Sequence, residues 1–293
     1  MAEKIVSPGV FTNEIDQTFL PAAIADIGAC IIGPTVKGPA LVPTIVTSYS
    51  DFQNKFGDTF KSGSNTYQYL TSHTAQQYLK NSNVLTVVRV LEGSYSGATA
   101  TVPTGSDYIN VGKSGTSFKL HTLSDGSILN NQDSTATTNN ILLSGSVHNF
   151  RYEISNRNYT KGTFTLMIRR GDDSIKRKQT METFTNINLD PNSTNYILKA
   201  IGDQVYTIRT DENSKPFLQL SGSYPNKSKF VRVSSVQDTV DYLDENGNVR
   251  VPAYSASLPA TGSGSYNGGF TGGSDGYIGF DSLGNIQGED SVT

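Results

Sequence analysis

The stretch that most limits what this chain can fold into is "NVLTVVRVLEG" (Asn83 to Gly93). Val84 to Leu91 is a near-continuous β-branched and apolar run. A strand with one wet face alternates; a run without alternation predicts a central strand covered on both faces, the mark of a layered α/β body. The segment before it supplies a helix. In "TYQYLTSHTAQQYLK" (Thr66 to Lys80), Tyr67, Leu70, Thr74 and Tyr78, with Ala75 and Leu79, recur at spacings of three and four. That period predicts one semi-apolar helical face.

Upstream, "GACIIG" (Gly28 to Gly33) reads as a short buried strand and "TIV" (Thr44 to Val46) begins another. Ser48 or Ser50 is placed to cap a helix through "DFQNKF", which Gly57 would end. The single cysteine, Cys30, has no partner for an internal bridge and is expected as a small buried hydrophobe. Its apolar run carries Asp26 and is too short and polar to span a bilayer. No secretory leader is read at the start, so synthesis in the cytoplasm without membrane insertion is expected.

After Gly93 the texture changes to short strands ("YINV", "FKLHTL", "ILLS") separated by Ser, Thr, Asn and Gly, as in a β-rich domain inserted into a parent fold. Thr163 to Ile168 and Phe184 to Leu189 read as strands on either side of an "RGDD" turn. "DPNSTNYILKAIG" reads as a helix capped by Asn192 or Ser193, with Tyr196, Ile197, Ala200 and Ile201 on its apolar face and Gly202 at its end. Asn246-Gly247 is a hairpin signal, and "LPATGSGSYNGGFTGGSDG" reads as loop. The expected fold is mixed α/β to α+β and multi-domain: an α/β body, a barrel- or sandwich-like β-rich insertion and an extended N-terminal arm. The boundaries read as arm 1–20, first part of the body 21–95, β-rich insertion 96–160, and continuing α/β and β-rich outer region 161–293.

Chemistry-bearing patterns fail one by one. "GKSGT" (Gly112 to Thr116) has Asp107 where a phosphate loop needs its first glycine, and "GSGSYNGG" has Asn267 in place of the third glycine of a dinucleotide fingerprint. His73, His121 and His148 fall in separate segments, and "DENGN" (Asp244 to Asn248) lacks the distal Glu of a calcium loop. No Gly-x-Ser-x-Gly elbow occurs, and Asp172–Asp173 and Asp211–Glu212 lie in turn-like segments. No catalytic residue, metal or cofactor is therefore expected. The net charge of −3, with both signs interspersed, gives no field for nucleic acid. One dense cluster remains, "RRGDDSIKRK", with Arg169, Arg170, Asp172, Asp173, Lys176, Arg177 and Lys178. It reads as a solvated hairpin end, with a charged patch facing another subunit as the sharper alternative.

"IVSPGVFTNEID" (Ile5 to Asp16) favours extended geometry and is bounded by Pro8-Gly9 and Pro21. Val6, Val10, Phe11, Thr12, Asn13, Glu14 and Ile15 would form either a local edge strand or an arm added to another chain. With "LPAAIADIGACIIGPTVKGPALVPTIVTSYSDFQNKFGD", "YQYLTSHTAQQYLKNSNVLTVVRVLEG", "NFRYEISNRNYTKGTFTLMIRRGDDSIKRKQTMETFTNINLDPNSTNYILKAIGDQ" and "GGSDG", in this order, the chain resembles the tail sheath proteins of contractile-tailed, T4-like bacteriophages.

The resemblance implies a non-enzymatic subunit whose inner α/β domain faces the tail tube and whose inserted β-rich domains project outward. Its arm residues would add a strand to a neighbour. It further implies homo-oligomeric helical rings, a tail tube protein, baseplate and tail terminator proteins as partners, and residence in the virion tail after assembly in the host cytoplasm. Contraction would drive the tube through the host envelope. Family members are longer, so the resemblance implies either part of a sheath chain or a short variant of one. The rival reading is a β-rich receptor- or glycan-binding protein of a virion surface, using tyrosines near "YPNKSKF" or "SYNGGF".

Overall fold

The structure, a computed structural model, describes residues 28–62, 65–105, 115–130, 147–174, 176–261, 268–277, 279–280 and 286–287. The arm over residues 1–20 and the strands expected at "YINV" and "ILLS" lie outside the described residues.

The first unit is a small α/β layer. Strands β1 (Ala29–Gly33) and β2 (Thr44–Val46) precede helix α1 (Tyr49–Phe56), the hairpin β3 (Thr59–Ser62) and β4 (Asn65–Gln68), helix α2 (Leu70–Tyr78) and strand β5 (Leu85–Arg89). Their sheet has the order β1-β5-β2, with β1 parallel and β2 antiparallel to β5. The two helices bring Phe52, Phe56 and Ala75 onto Val46, Leu85 and Val87, which makes one closed apolar layer. Ser48 caps α1, its Oγ accepting from the Asp51 N–H at 3.1 Å, and Gly57 ends it at φ +76°.

The helix expected over Thr66 to Lys80 starts later. Phe60 packs against Tyr67 and Tyr69, with ring centroids 5.8 and 4.8 Å away, and this aromatic cluster holds residues 65–68 in the hairpin instead. Aromatic cross-strand packing outweighs the weak helical propensity of Thr and Tyr there.

The larger unit is strand-rich. Its elements are β6 (Glu92–Pro103), β7 (Thr116–Asp125), β8 (Phe150–Asn158), β9 (Thr163–Arg170), β10 (Thr180–Asn188), α3 (Ile197–Ile201), β11 (Val205–Thr210), β12 (Pro216–Ser221), β13 (Val231–Val236), α4 (Ala253–Ser257) and β14 (Ser274–Tyr277). A four-stranded antiparallel sheet, β13-β7-β6-β14, and a three-stranded one, β10-β9-β8, share one core. Alternation does this work. Ala98, Ala100, Val102, Phe118 and Leu120 from one sheet meet Ile154, Phe164, Leu166 and Ile168 from the other, with Phe118 stacked on Phe164 at 5.8 Å. No sheet among the described residues closes into a barrel, which leaves the sandwich-like form of the expectation. β8 and β9 pair across residues 160 and 161, so the β-rich unit runs through that expected boundary.

Two local readings change and one holds. α3 begins at Ile197 without a side-chain cap, because the Ser193 hydroxyl accepts from Asn188 Nδ2 (2.7 Å) within the preceding turn. Tyr196, Ile197 and Ile201 are buried as the periodicity predicts. The Asn246-Gly247 turn forms, with Gly247 at φ +79° and the Asp244 carboxylate accepting from the N–H groups of Asn246 and Asn248. The Gly-rich segment expected as loop contributes more: Phe270 is fully buried edge-on against Tyr152, and residues 274–277 form β14 on the flank of β6.

Candidate assembly surfaces

Among the described residues, strand β5 is fully covered on one face only. Leu85 and Val87 point to the helices, while Thr86 and Val88 lie on the opposite face. Register places Cys30 beside Thr86, Ile32 beside Val88 and Ile45 beside Thr86, so these side chains form one contiguous patch. Ile32 is 69% exposed and Ile45 59% exposed, and Cys30 is exposed rather than buried. Both expectations for this sheet are thus corrected. The sequence period identifies the residues sharing a face, but among the described residues helices arrive on one side alone. Parallel pairs such as β1–β5 are ordinarily buried on both faces, which makes this bare face unusual. β1 and β2 are both edge strands, with no second strand partner among the described residues.

The second bare surface is the hairpin β11–β12. Its register sets Tyr206 opposite Leu220 and Ile208 opposite Leu218, which puts four large apolar side chains on one face. All are exposed, Tyr206 at 54%. The hairpin is anchored at its base, where the Asp203 carboxylate accepts from the N–H groups of Ser223 (3.1 Å) and Tyr224 (2.6 Å). A two-stranded hairpin of this kind has little stability of its own without an apolar surface to lie on.

The charged cluster divides. Arg170 and Asp172 form a half-exposed bidentate pair (2.5 and 3.0 Å), and Lys176 and Arg177 are exposed. Arg169 and Asp173 are buried, which overturns the solvated hairpin end for these two and removes them from any surface patch. The reason lies on β8. Arg151 stands directly opposite Arg169, and Glu153 is two residues along on the same face. Asp173 folds back between the guanidinium groups, with Oδ2 2.7 Å from Arg169 Nε and Oδ1 3.2 Å from Arg151 Nε, the latter a Coulombic contact without hydrogen-bond alignment. Glu153 accepts from Arg169 (2.8 Å) and Lys178 (2.6 Å). Burial draws the Arg151 guanidinium below the usual arginine range, opposed by the Asp173 charge. Arg151 and Glu153 escaped sequence reading. The Arg-x-Glu spacing in a strand was the available signal, since period two puts both on one face.

Other titratable groups are tied into packing. Lys37 is buried with its ammonium over the Phe150 ring (5.1 Å), and desolvation lowers its pKa to about 8. Asp58 accepts from Tyr49, Gln68, Ser72 and Gln53 at 2.6 to 2.9 Å. An open groove along α2 is lined by Leu70, His73, Thr74, Gln77 and Tyr78. His121 lies on β7 beside Arg232, His148 meets the Thr59 carbonyl at 2.8 Å, and no group of three or more His, Cys, Asp or Glu among the described residues could hold a metal ion. No helix among them is long and apolar enough to cross a membrane. The candidate arm residues Val6 and Val10 to Ile15 lie outside the described residues.

No protein-family model matches the chain, and no curated protein matches it. Among solved structures, a sheath tail protein from Listeria innocua aligns with 84% of this chain and 34% of its own length, at 10% identity and a TM-score of 0.35. The chain therefore spans about a third of that protein.

Proposed function

We propose that this chain is a structural, non-enzymatic subunit of a contractile phage tail sheath. It polymerises around a tail tube between baseplate and tail terminator proteins, and its contraction drives the tube through the host envelope. It resides in the virion tail and is assembled in the host cytoplasm. The observation that carries the reading is the pair of bare apolar β surfaces, the Ile32–Ile45–Val88 face and the β11–β12 hairpin. Contiguous exposed apolar patches mark protein interaction sites. The ordered run of segments resembling sheath proteins selects the assembly among the structural roles open to such a chain. In this reading Val6 and Val10 to Ile15 add a strand to a neighbouring copy. Each net backbone hydrogen bond contributes about 0.5–1.5 kcal/mol, which also keeps the copies tethered while their bodies rotate and slide.

Electron microscopy of the protein with and without tail tubes tests this. Helical tubes or rings are expected with the full chain, and removal of Met1 to Phe19 is expected to abolish them while circular dichroism stays unchanged. Tubes that form normally without the segment would remove its role as arm. Monodisperse monomers under every condition, together with retention on a glycan array, would favour the receptor-binding rival. Tyr224 gives that rival little support, since it packs edge-on against Tyr196 (6.3 Å) instead of standing as an open platform.

A further inference from the structure

We propose that the joint between the α/β layer and the β-rich unit is tightened by acid, through uptake of one proton at Asp125. Three charged side chains meet there: Arg89 at the end of β5, Asp125 at the end of β7 and Asp275 on β14. Arg89 is buried. Its Nη2 donates to Asp275 Oδ1 (3.2 Å), and its Nη1 to the carbonyls of Gly38 (2.9 Å) and Asp125 (2.6 Å). Its Nε has no hydrogen-bond partner among the described residues. No donor of the guanidinium thus goes to the Asp125 carboxylate. That carboxylate accepts instead from a neutral group, the Ala40 N–H (2.9 Å), on the segment between β1 and β2. Gly126, next in sequence, marks how near Asp275 lies: a Cβ there would meet Asp275 Oδ1 and stand 3.5 Å from Arg89 Nη2.

Two carboxylates therefore share one guanidinium, and only Asp275 pairs with it directly. Like charges in one desolvated site disfavour double ionisation, so the proton goes to the carboxylate outside the ion pair. Burial holds the Asp125 carboxyl above the ordinary 3.8; Asp275 adds to this, while the Ala40 N–H, Arg89 and Arg232 oppose it. Arg232, on β13, faces Asp203 as well as Asp125, Asp203 the more strongly. The other titratable groups here are the Tyr95 and Tyr69 phenols, which burial raises, so they stay neutral throughout. A carboxyl whose folded pKa lies above its unfolded value costs stability while it is ionised. That cost is relieved as pH falls through the folded value. Once protonated, Asp125 still accepts from Ala40 through its carbonyl oxygen. The joint lies within one chain, so it titrates whether or not copies assemble into a sheath.

Urea unfolding of the full chain and of Asp125→Asn, from neutral pH down to the ordinary aspartate value of 3.8, tests this. Asparagine keeps an acceptor for Ala40 and carries no charge. The variant is expected to show the higher midpoint at neutral pH, and the difference to narrow as pH falls. Titrations common to both chains, such as those of the histidines, cancel in that difference. In an Asp275→Asn background the sign is expected to invert: Asp125 becomes the counterion of Arg89, and Asp125→Asn then lowers the midpoint. Hydrogen exchange of the unaltered chain needs no variant. After correction for intrinsic rates, protection of the 37–41 segment is expected to rise several-fold as pH falls over the same range. A lower midpoint for Asp125→Asn at every pH, a sign indifferent to Asp275→Asn, or protection that does not rise would overturn the proposal.

Discussion

Arg89, at the end of the central strand of the small sheet, reaches Asp275 on β14 of the four-stranded sheet at 3.2 Å, across 186 positions of sequence. The same guanidinium donates to the carbonyls of Gly38 (2.9 Å) and Asp125 (2.6 Å), while the Asp125 carboxylate accepts from the Ala40 N–H (2.9 Å). Ser127 also hydrogen-bonds Asp275. One buried cation thus fastens the α/β layer to the β-rich unit. Removing Asp275 leaves Arg89 buried with Asp125 as its remaining nearby carboxylate, so Asp275→Ala is expected to lower stability by about 1–3 kcal/mol. Urea unfolding followed by tyrosine fluorescence checks this, and an unchanged midpoint would show that the junction is held by apolar contacts alone.

The Arg151–Asp173–Arg169 arrangement makes a second test. Two guanidinium groups face each other across β8 and β9, and the Asp173 carboxylate is what separates their charges. Asp173→Ala is expected to cost about 3–5 kcal/mol, and Asp172→Ala, on the half-exposed pair, less than about 1 kcal/mol. Equal effects in thermal unfolding would contradict the burial of Asp173.

Lys37 sets a pH dependence. Its pKa falls from an ordinary 10.5 to about 8 in the folded protein because its ammonium is desolvated over Phe150. Between those values the unfolded chain binds more protons, so stability rises with pH; below about 8 both states are charged and the full cost remains. Lys37→Met is expected to raise stability near neutral pH by up to about 3 kcal/mol and to flatten the rise. Denaturation midpoints that climb equally in both proteins would assign the rise to other groups.

The α1 cap gives a smaller effect. The Ser48 hydroxyl accepts from the Asp51 N–H, one of the helix's orphan donors. Ser48→Ala is expected to cost about 0.5–2 kcal/mol, with Ser50→Ala near zero. Chemical denaturation of the two single variants separates them.

Gly162 tests a close approach. It sits at φ +67°, and a Cβ there would lie 2.7 Å from the Tyr242 ring. Gly162→Ala combines left-handed strain with that clash and is expected to cost at least about 1 kcal/mol, seen as a lower thermal midpoint.

Much of the small sheet, and one turn outside it, was legible because the signals are local. Ser48 before "DFQNKF", Gly57 after it, the β-branched run around Val87 and the Asn246-Gly247 turn each act within a few residues of themselves. The Tyr196, Ile197 and Ile201 face of α3 was equally readable, since periodicity states which side chains share a face. Sequence alone therefore determined these elements and which of their side chains share a face. Tertiary structure decided what covers them. Among the described residues helices reach β5 from one side, so Cys30 and Ile32 are exposed there although their run is apolar. Phe270 was drawn from a Gly-rich stretch into the core against Tyr152. Arg169 was buried because strand register set Arg151 and Glu153 beside it, a relation between residues 16 to 18 positions apart. Burial and ion pairing depend on which layer arrives, and that is settled by non-local packing free energy rather than by any residue's own preference.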